Sequence, residues 1–261
     1  MSKDVFIYHH LGLGDHFHCN GVVRFLIQKK HLKKKIKLFA KKKYSEMVKF
    51  MYRDIENLEI IPISNDEKKE EGDVYSHISQ NDIIEKIGFE FFAKNKDKKK
   101  TIDMLFYEQY NIEYSKRFDL TYWKRDLQSE NKLYDRLVKN EDYIFIHDDP
   151  QRGFVISDKN VGTNFQIIRN SNQYNIFDYA KILENAKEIH VMESSIRCML
   201  EFLNTINASH YLYNFINGPW KSMPFYNEKN EITGSVKNWK IINLNFKRKN
   251  FFQKIYPFNF L

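Results

Sequence analysis

Short apolar runs recur along the chain, each followed by a polar turn and then by a stretch with helical spacing. Val5–Tyr8 (VFIY) is the first, four β-prone residues in a row, and it predicts a buried strand. Gly12 and Gly14 follow, where the backbone has to turn and a Cβ would restrict it. Val22, Val23, Phe25 and Leu26 then give a helix an apolar stripe around Gly21. Asp15 stands where that helix is expected to begin, as its N-cap. Further strands are predicted at 35–40 (KIKLFA), Leu58–Ile63 and 74–78. Helices are predicted at 44–53, with Met47, Phe50 and Met51 inward, and at 81–87. The charged stretch 66–72 has no apolar period and reads as a surface loop.

From Met104 the period is lost. Residues 106–126 (FYEQYNIEYSKRFDLTYWKRD) are dense in Tyr, Phe and Arg. They read as a crossing segment packed between two halves, although such rings can also line a sugar site. Alternation then resumes. A helix is predicted at 130–138, strands at Tyr143–His147 (YIFIH), 154–156 and 165–168, and an amphipathic helix at 176–186 with Ile176, Tyr179, Ile182 and Leu183 on one face. Glu188–Met192 is a further buried strand. A helix capped by Ser194 or Ser195 covers 195–203, and a last strand covers 209–213. Strands that alternate with helices argue for βαβ units and parallel sheets. The expected fold is therefore α/β, with two Rossmann-like domains at 1–125 and 126–261 facing each other across a cleft.

Composition adds a partner class. Lys and Arg outnumber Asp and Glu by 42 to 34, a formal charge of +8. Anionic partners such as nucleotides, phosphorylated sugars or lipid headgroups suit that balance. No recognised nucleic-acid motif is present, so nucleic acid is not an expected partner. Cys19 and Cys198 are the only cysteines, too few for a disulfide framework or a zinc site. With no signal peptide and no apolar run of transmembrane length, a cytoplasmic location is expected. The basic aromatic stretch 246–261 (FKRKNFFQKIYPFNFL) either lies peripherally on an anionic membrane surface or docks across the domains.

In open α/β sheets, ligands bind beyond the carboxyl ends of the strands. Three such ends carry polar sets: Gly12-Leu13-Gly14-Asp15 after VFIY, His147-Asp148-Asp149-Pro150-Gln151-Arg152 after YIFIH, and Glu193-Ser194-Ser195 after EIHVM. The last joins a strand end to a helix start, where hydroxyl and N–H groups hold phosphate well. Arg152 offers a two-pronged hydrogen bond to the same anion, and Arg169 is a further donor-side candidate. A carboxylate at the first loop suits general-base work on a hydroxyl. His10, at the end of the first strand, is placed to touch an acceptor. His9, His16 and His18 cluster nearby, and packing or capping is the expected role for them. His16 and His18 point about 200° apart on a helix, which does not suit a shared metal.

With these residues in view, the chain resembles glycosyltransferases of the two-Rossmann, GT-B kind. Gly12-Leu13-Gly14-Asp15 and the helix after it resemble the N-terminal G-x-G-D loop of bacterial heptosyltransferases, whose aspartate is the candidate catalytic base. Residues 186–203 (AKEIHVMESSIRCMLEFL) resemble that family's strand–D-[TS]-[GS]–helix loop, which grips the donor diphosphate. Glu193 stands where Asp is usual, and Arg197 and Cys198 lie where the family carries a histidine. Residues 147–152 resemble, more loosely, the H-x-R-R-x-D loop of fucosyltransferase-like enzymes. The resemblance implies inverting, metal-independent sugar transfer from a nucleoside-diphosphate sugar to a glycan or glycolipid, with no cofactor, in surface-polysaccharide synthesis. Three alternatives stand beside it: a metal-dependent transferase using Asp148 and Asp149, a basic nucleotide- or RNA-binding protein, and a degenerate transferase that only binds.

Overall fold

A computed structural model describes residues 3–95, 100–161, 164–216 and 234–245. The tail at 246–261 lies outside the described residues. Val5–Tyr8 (β1) is buried along its whole length. It leads into helix α1, Leu13–Phe25, which continues as one wide π turn, Leu26–Lys30. Strand β2 is Ile36–Lys41, helix α2 is Ser45–Met51 and strand β3 is Leu58–Ile63. Helix α3, Glu67–Ser76, and strand β4, Ile83–Lys86, complete the first unit. Its sheet is parallel with order β3-β2-β1-β4.

Three expectations are overturned here: the loop at 66–72, the strand at 74–78 and the helix at 81–87. Residues 66–76 form α3, with the Asp66 carboxylate accepting the Lys68 N–H at 3.0 Å as an N-cap. Val74 is that helix's one buried residue and packs with Phe6, Tyr8 and Phe39. A single anchor makes no visible period, so the charged part read as a loop and 74–78 as a strand. Residues 81–87 supply β4 rather than a helix. Ile83 and Ile84 are β-branched, which favours the pleated surface over the helix, and β4 pairs with β1 from Val5↔Ile83 to Tyr8↔Lys86.

Between β4 and the second unit lie three short helices: α4, Phe89–Lys94, ahead of the crossing segment; α5, Ile102–Glu108, which runs into it; and α6, Arg117–Leu120, within it. An extended stretch follows and leads into α7, Leu127–Leu137. The second sheet contains β5, Tyr143–His147; β6, Gln166–Arg169; β7, Glu188–Met192; β8, Ser209–Ile216; and β9, Trp239–Asn245. All its pairings are parallel, in the order β6-β5-β7-β8-β9. Helix α8, Ala180–Asn185, continues a 3-10 turn at Ile176–Tyr179, and α9 is Ser195–Leu200. Strand β8 is therefore not the last, since the edge strand β9 lies beyond it. Residues 154–156 form no strand. Phe154 and Ile156 are buried, but only one bridge, Asp149↔Phe154, reaches them; their apolar character reflects burial without sheet pairing.

One apolar core runs from the first sheet to the second, and Trp123 sits at the seam. Its ring meets Phe17 of α1 edge-on at 5.7 Å, Phe177 at 5.7 Å and Phe202 at 6.5 Å. Phe177 also stacks on Phe50 of α2 at 4.8 Å. The crossing segment is thus a wedge between the halves, as its composition suggests. Arg24 of α1 holds it in place. The guanidinium donates to Tyr122 O at 2.9 Å and, bidentately, to Asp54 at 2.8 Å. Asn20 accepts the Tyr122 N–H at 2.9 Å. Arg125 then bridges Glu130 of α7 and Glu184 of α8. Among the described residues, no helix is long and apolar enough to cross a membrane.

Trp123→Ala empties the seam. It is expected to lower unfolding stability by about 3–5 kcal/mol, read as a fall in the denaturant midpoint.

Candidate active site

Each sheet reverses its strand order once. From β1 the chain moves outward through β2 and β3, then crosses to β4 on the other side; from β5 it moves to β6, then crosses to β7. Crevices open at such points, beyond the strands' carboxyl ends. The loops after β1, β5 and β7 are the three polar loops marked in the sequence, and each lies at one of these reversals.

The first loop differs from expectation in detail. Gly12 is extended, with φ −67° and ψ 148°, a conformation open to any residue. Helix α1 starts at Leu13, so Asp15 is its third residue. The Asp15 carboxylate reaches back to accept the Gly12 N–H at 3.2 Å, while Gly12 O accepts the His16 N–H at 3.2 Å. A Cβ on Gly12 would lie 2.6 Å from the Asp15 carboxylate. The glycine therefore makes room for the acid.

Gly14 makes room for the other half of the molecule. A Cβ there would lie 3.2 Å from Cys198 Sγ and 3.9 Å from Ser195 N. The first turn of α1 and the first turn of α9 thus meet, which brings the Asp15 turn beside the turn of Ser194 and Ser195. Ser194 caps α9, its hydroxyl accepting the Arg197 N–H at 3.4 Å. The first N–H groups of α9, on Ser195 and Ile196, lie beyond the reach of any intrahelical acceptor.

Burial raises the Asp15 carboxyl to about 7. The Gly12 N–H and the Lys41 ammonium oppose that rise, and the Asp103 and Glu70 charges add to it. An acid with this value is divided between its two forms near neutral pH, as a general base should be. Lys41, the last residue of β2, is itself 8% exposed and pairs with Glu70 at 3.0 Å.

The donor-side candidates turn out to be engaged with one another. Asp148 is buried and accepts the Ile156 N–H and an Arg169 N–H, both at 2.8 Å. Arg169 also bonds Ile156 O at 2.8 Å and Asp158. Together they fasten the loop at 148–158, a structural task that the sequence reading did not assign to Arg169. Asp149 accepts the Arg152 side chain at 2.6 Å and its backbone N–H at 3.1 Å. Arg152 is about half exposed. Asp148 and Asp149 thus serve separate cationic partners instead of converging on one point. His147 ends β5 beside Val191 of β7, and burial lowers it to about 4, keeping the ring neutral. Glu193 grips Arg197 through Oε1, at 2.9 Å from Nε and 2.7 Å from Nη2, and Arg197 reaches Glu201 at 3.4 Å. Glu193 thereby stiffens the start of α9.

His10 lies between Phe89 at 4.8 Å and Phe106 at 5.9 Å, with both ring pairs stacked. Gly88, at φ +90°, turns the chain beneath it in a backbone region that favours glycine, and a Cβ there would lie 2.8 Å from Phe106 and 2.9 Å from His10 Nε2. His9 and His16 are fully buried and meet edge-on at 4.4 Å. Among the described residues, no group of three or more His, Cys, Asp or Glu side chains is arranged to hold a metal ion.

The fold has a counterpart among solved structures. A family 9 glycosyl transferase from Veillonella parvula superposes with a TM-score of 0.53 at 9% identity, over 92% of this chain and 86% of that one. The fold is GT-B-like. ADP-heptose LPS heptosyltransferase II of E. coli aligns at TM-score 0.46 and 11% identity, over 92% and 90% of the two chains. E. coli heptosyltransferase WaaC, solved with ADP-2-deoxy-2-fluoro heptose, aligns at 0.40 and 9%, over 89% and 96%. The first of these establishes the fold. No protein-family model matches the sequence, and no curated protein matches it.

In this GT-B-like frame, two residues near Asp15, Lys41 and Asp103, were missed by sequence reasoning, and a third, His18, was assigned only packing or capping. Lys41 tunes Asp15 from the neighbouring strand, and no local pattern marks it. Asp103 comes from the aperiodic crossing segment. His18 had a signal, because it stands three residues after Asp15 and so shares its helix face.

The Asp15 shift has a consequence for stability. In the unfolded chain the carboxyl ionises near 3.8, and in the folded protein near 7. Between these values the native state keeps a proton that the unfolded state releases, so stability is fully present below about pH 4 and falls as pH rises toward 7. Asp15→Asn removes this loss. The variant is expected to melt several degrees above wild type at pH 8, with the gap closing toward pH 4, in paired thermal melts.

Proposed function

We propose that this protein is a glycosyltransferase. It moves a sugar from a nucleoside-diphosphate sugar to a hydroxyl of a glycan or glycolipid in surface-polysaccharide synthesis. The observation that carries the reading is the meeting of α1 and α9 at Gly14, which brings the turn of a carboxyl poised near neutrality beside a serine-capped helix start. The family 9 glycosyl transferase that shares the fold supports the same reaction class.

The chemistry is a single displacement. Asp15 takes the proton of the acceptor hydroxyl as its oxygen attacks the anomeric carbon. The bond from that carbon to the diphosphate breaks, and its electron pair leaves with the nucleoside diphosphate. Attack opposite the leaving group inverts the anomeric centre. The charge gathering on the leaving group falls to the hydroxyls of Ser194 and Ser195 and the first N–H groups of α9, which are fixed before the reaction begins. The arginines nearby already have carboxylate partners: Arg152 has Asp149, Arg169 has Asp148 and Asp158, and Arg197 has Glu193 and Glu201. Their role in this reading is to hold the loops that present the donor site. His147 borders the donor side, and His10, Phe89 and Lys41 border the acceptor side. The pairing of Asp148 and Asp149 with separate arginines favours a metal-independent route over one that uses them as a cation clamp. The site works at the cytoplasmic side, within reach of a membrane-borne acceptor.

A thermal-shift screen against nucleoside diphosphates tests donor binding, since a bound nucleotide raises the melting point by mass action. Asp15→Asn then separates a transferase from a protein that only binds. Its turnover is expected to fall by about 10²–10⁴-fold while nucleotide affinity stays near that of wild type. An Asp15→Asn variant that transfers sugar at the wild-type rate overturns the assignment.

A further inference from the structure

A chain of polar contacts crosses the seam beside the proposed site and has no part in the chemistry above. It starts at Cys198 on α9, whose Sγ lies 3.1 Å from His18 Nε2 on α1. The other ring nitrogen of His18, Nδ1, lies 3.5 Å from Asp103 Oδ2 on α5. The Tyr114 hydroxyl donates to that same oxygen, and the guanidinium of Arg117 covers the Tyr114 ring at 3.9 Å. Cys198 is 4% exposed, while the side chains of His18 and Asp103 are 13% and 14% exposed. Three separate elements thus give one side chain each to a connected row at the bottom of the crevice.

The order of the row defines its protons. Burial raises the Cys198 thiol, which therefore keeps its proton. Burial lowers the His18 ring against the pull of Asp103, which keeps it neutral. Burial pushes Asp103 up, but His18, Tyr114 and Arg197 outweigh it and leave the carboxyl below its usual value, ionised. A neutral imidazole beside a carboxylate carries its proton on the near nitrogen. The far nitrogen, Nε2, is then an acceptor, and the Cys198 thiol donates to it. Position matters as much as bonding. Cys198 Sγ is also the atom that a Cβ on Gly14 would meet at 3.2 Å, so the thiol stands where the α1 and α9 turns touch.

We propose that His18 is a positioning residue: held by Asp103 on one side, it grips Cys198 on the other and so sets the gap between the Asp15 turn and the turn of Ser194 and Ser195. This rests on the transferase reading of the crevice. A group that only fills space at position 198 would be replaced by alanine more easily than by serine, because a buried hydroxyl needs a partner. A group that holds α9 through a proton to His18 behaves in the opposite way, since serine can still donate and alanine cannot.

The test measures binding of ADP, CDP, GDP and UDP, each alone, to wild type, Cys198→Ser, Cys198→Ala, His18→Gln and the Cys198→Ala/His18→Gln double variant. With the nucleotide that wild type binds best, Cys198→Ala and His18→Gln are each expected to lose about tenfold in affinity, and the double variant to lose no more than either single one, as coupled neighbours do. Cys198→Ser is expected to stay within about threefold of wild type, the signature of a retained hydrogen bond. Should His18→Gln fail to fold, the Ser-against-Ala contrast at position 198 still decides. If wild type binds none of the nucleotides, the transferase reading falls and takes this role with it. If wild type binds one and Cys198→Ala binds it equally well, or the two losses simply add, the transferase reading stands and the positioning role is overturned.

Discussion

Everything at the crevice depends on how the two sheets are held, and that is set by aromatic packing at Trp123. Its ring fills the space between Phe17 of α1, Phe177 before α8 and Phe202 after α9. Those neighbours belong to different halves, so the wedge joins two α/β units into one continuous core. Apolar contact has no direction and would by itself let the halves slide. Arg24 and Arg125 add directed bonds at either end of the wedge, to Asp54 and Tyr122 on one side and to Glu130 and Glu184 on the other. The apolar seam supplies the attraction, and these charged bonds set its register.

With the halves fixed, the missing Cβ of Gly14 allows the two helix starts to close to van der Waals contact. Asp15, in the same turn as Gly14, is a weakened acid: burial removes its carboxyl from water, and the Gly12 N–H and the Lys41 ammonium do not fully offset the loss of hydration. A carboxyl able to take a proton near neutral pH is thus a product of tertiary packing. The donor loops illustrate the reverse effect. Their charges are paired among themselves, so each loop is fastened by its own ion pairs.

Much of this was legible in the sequence. The strands Val5–Tyr8, Tyr143–His147 and Glu188–Met192 stand where their apolar runs predict, because central strands of parallel sheets are buried on both faces and need unbroken apolar residues. Ser194 caps α9 because a hydroxyl before a helical stretch has few better roles. The misread elements lack such a local signal. Helix α3 rests on Val74 alone, β4 is an edge strand beside β1, and β9 is a second edge strand. Phe154 and Ile156 show that an apolar run records burial even where no partner strand exists.

By itself, then, the sequence determined the alternation of strands and helices, the parallel sheets and the three polar loops at strand ends, since each follows from patterns a few residues long. Only the tertiary structure decided which charges face the crevice and which face one another. Arg152 and Arg169 each have a carboxylate beside them, Asp149 and Asp148, and His18, expected to pack or cap, meets Asp103 and Cys198 from other elements. The Asp149–Arg152 pair lies within one turn of chain, but Asp148 stands 21 residues from Arg169 and Cys198 stands 180 from His18, and no local pattern records such distances.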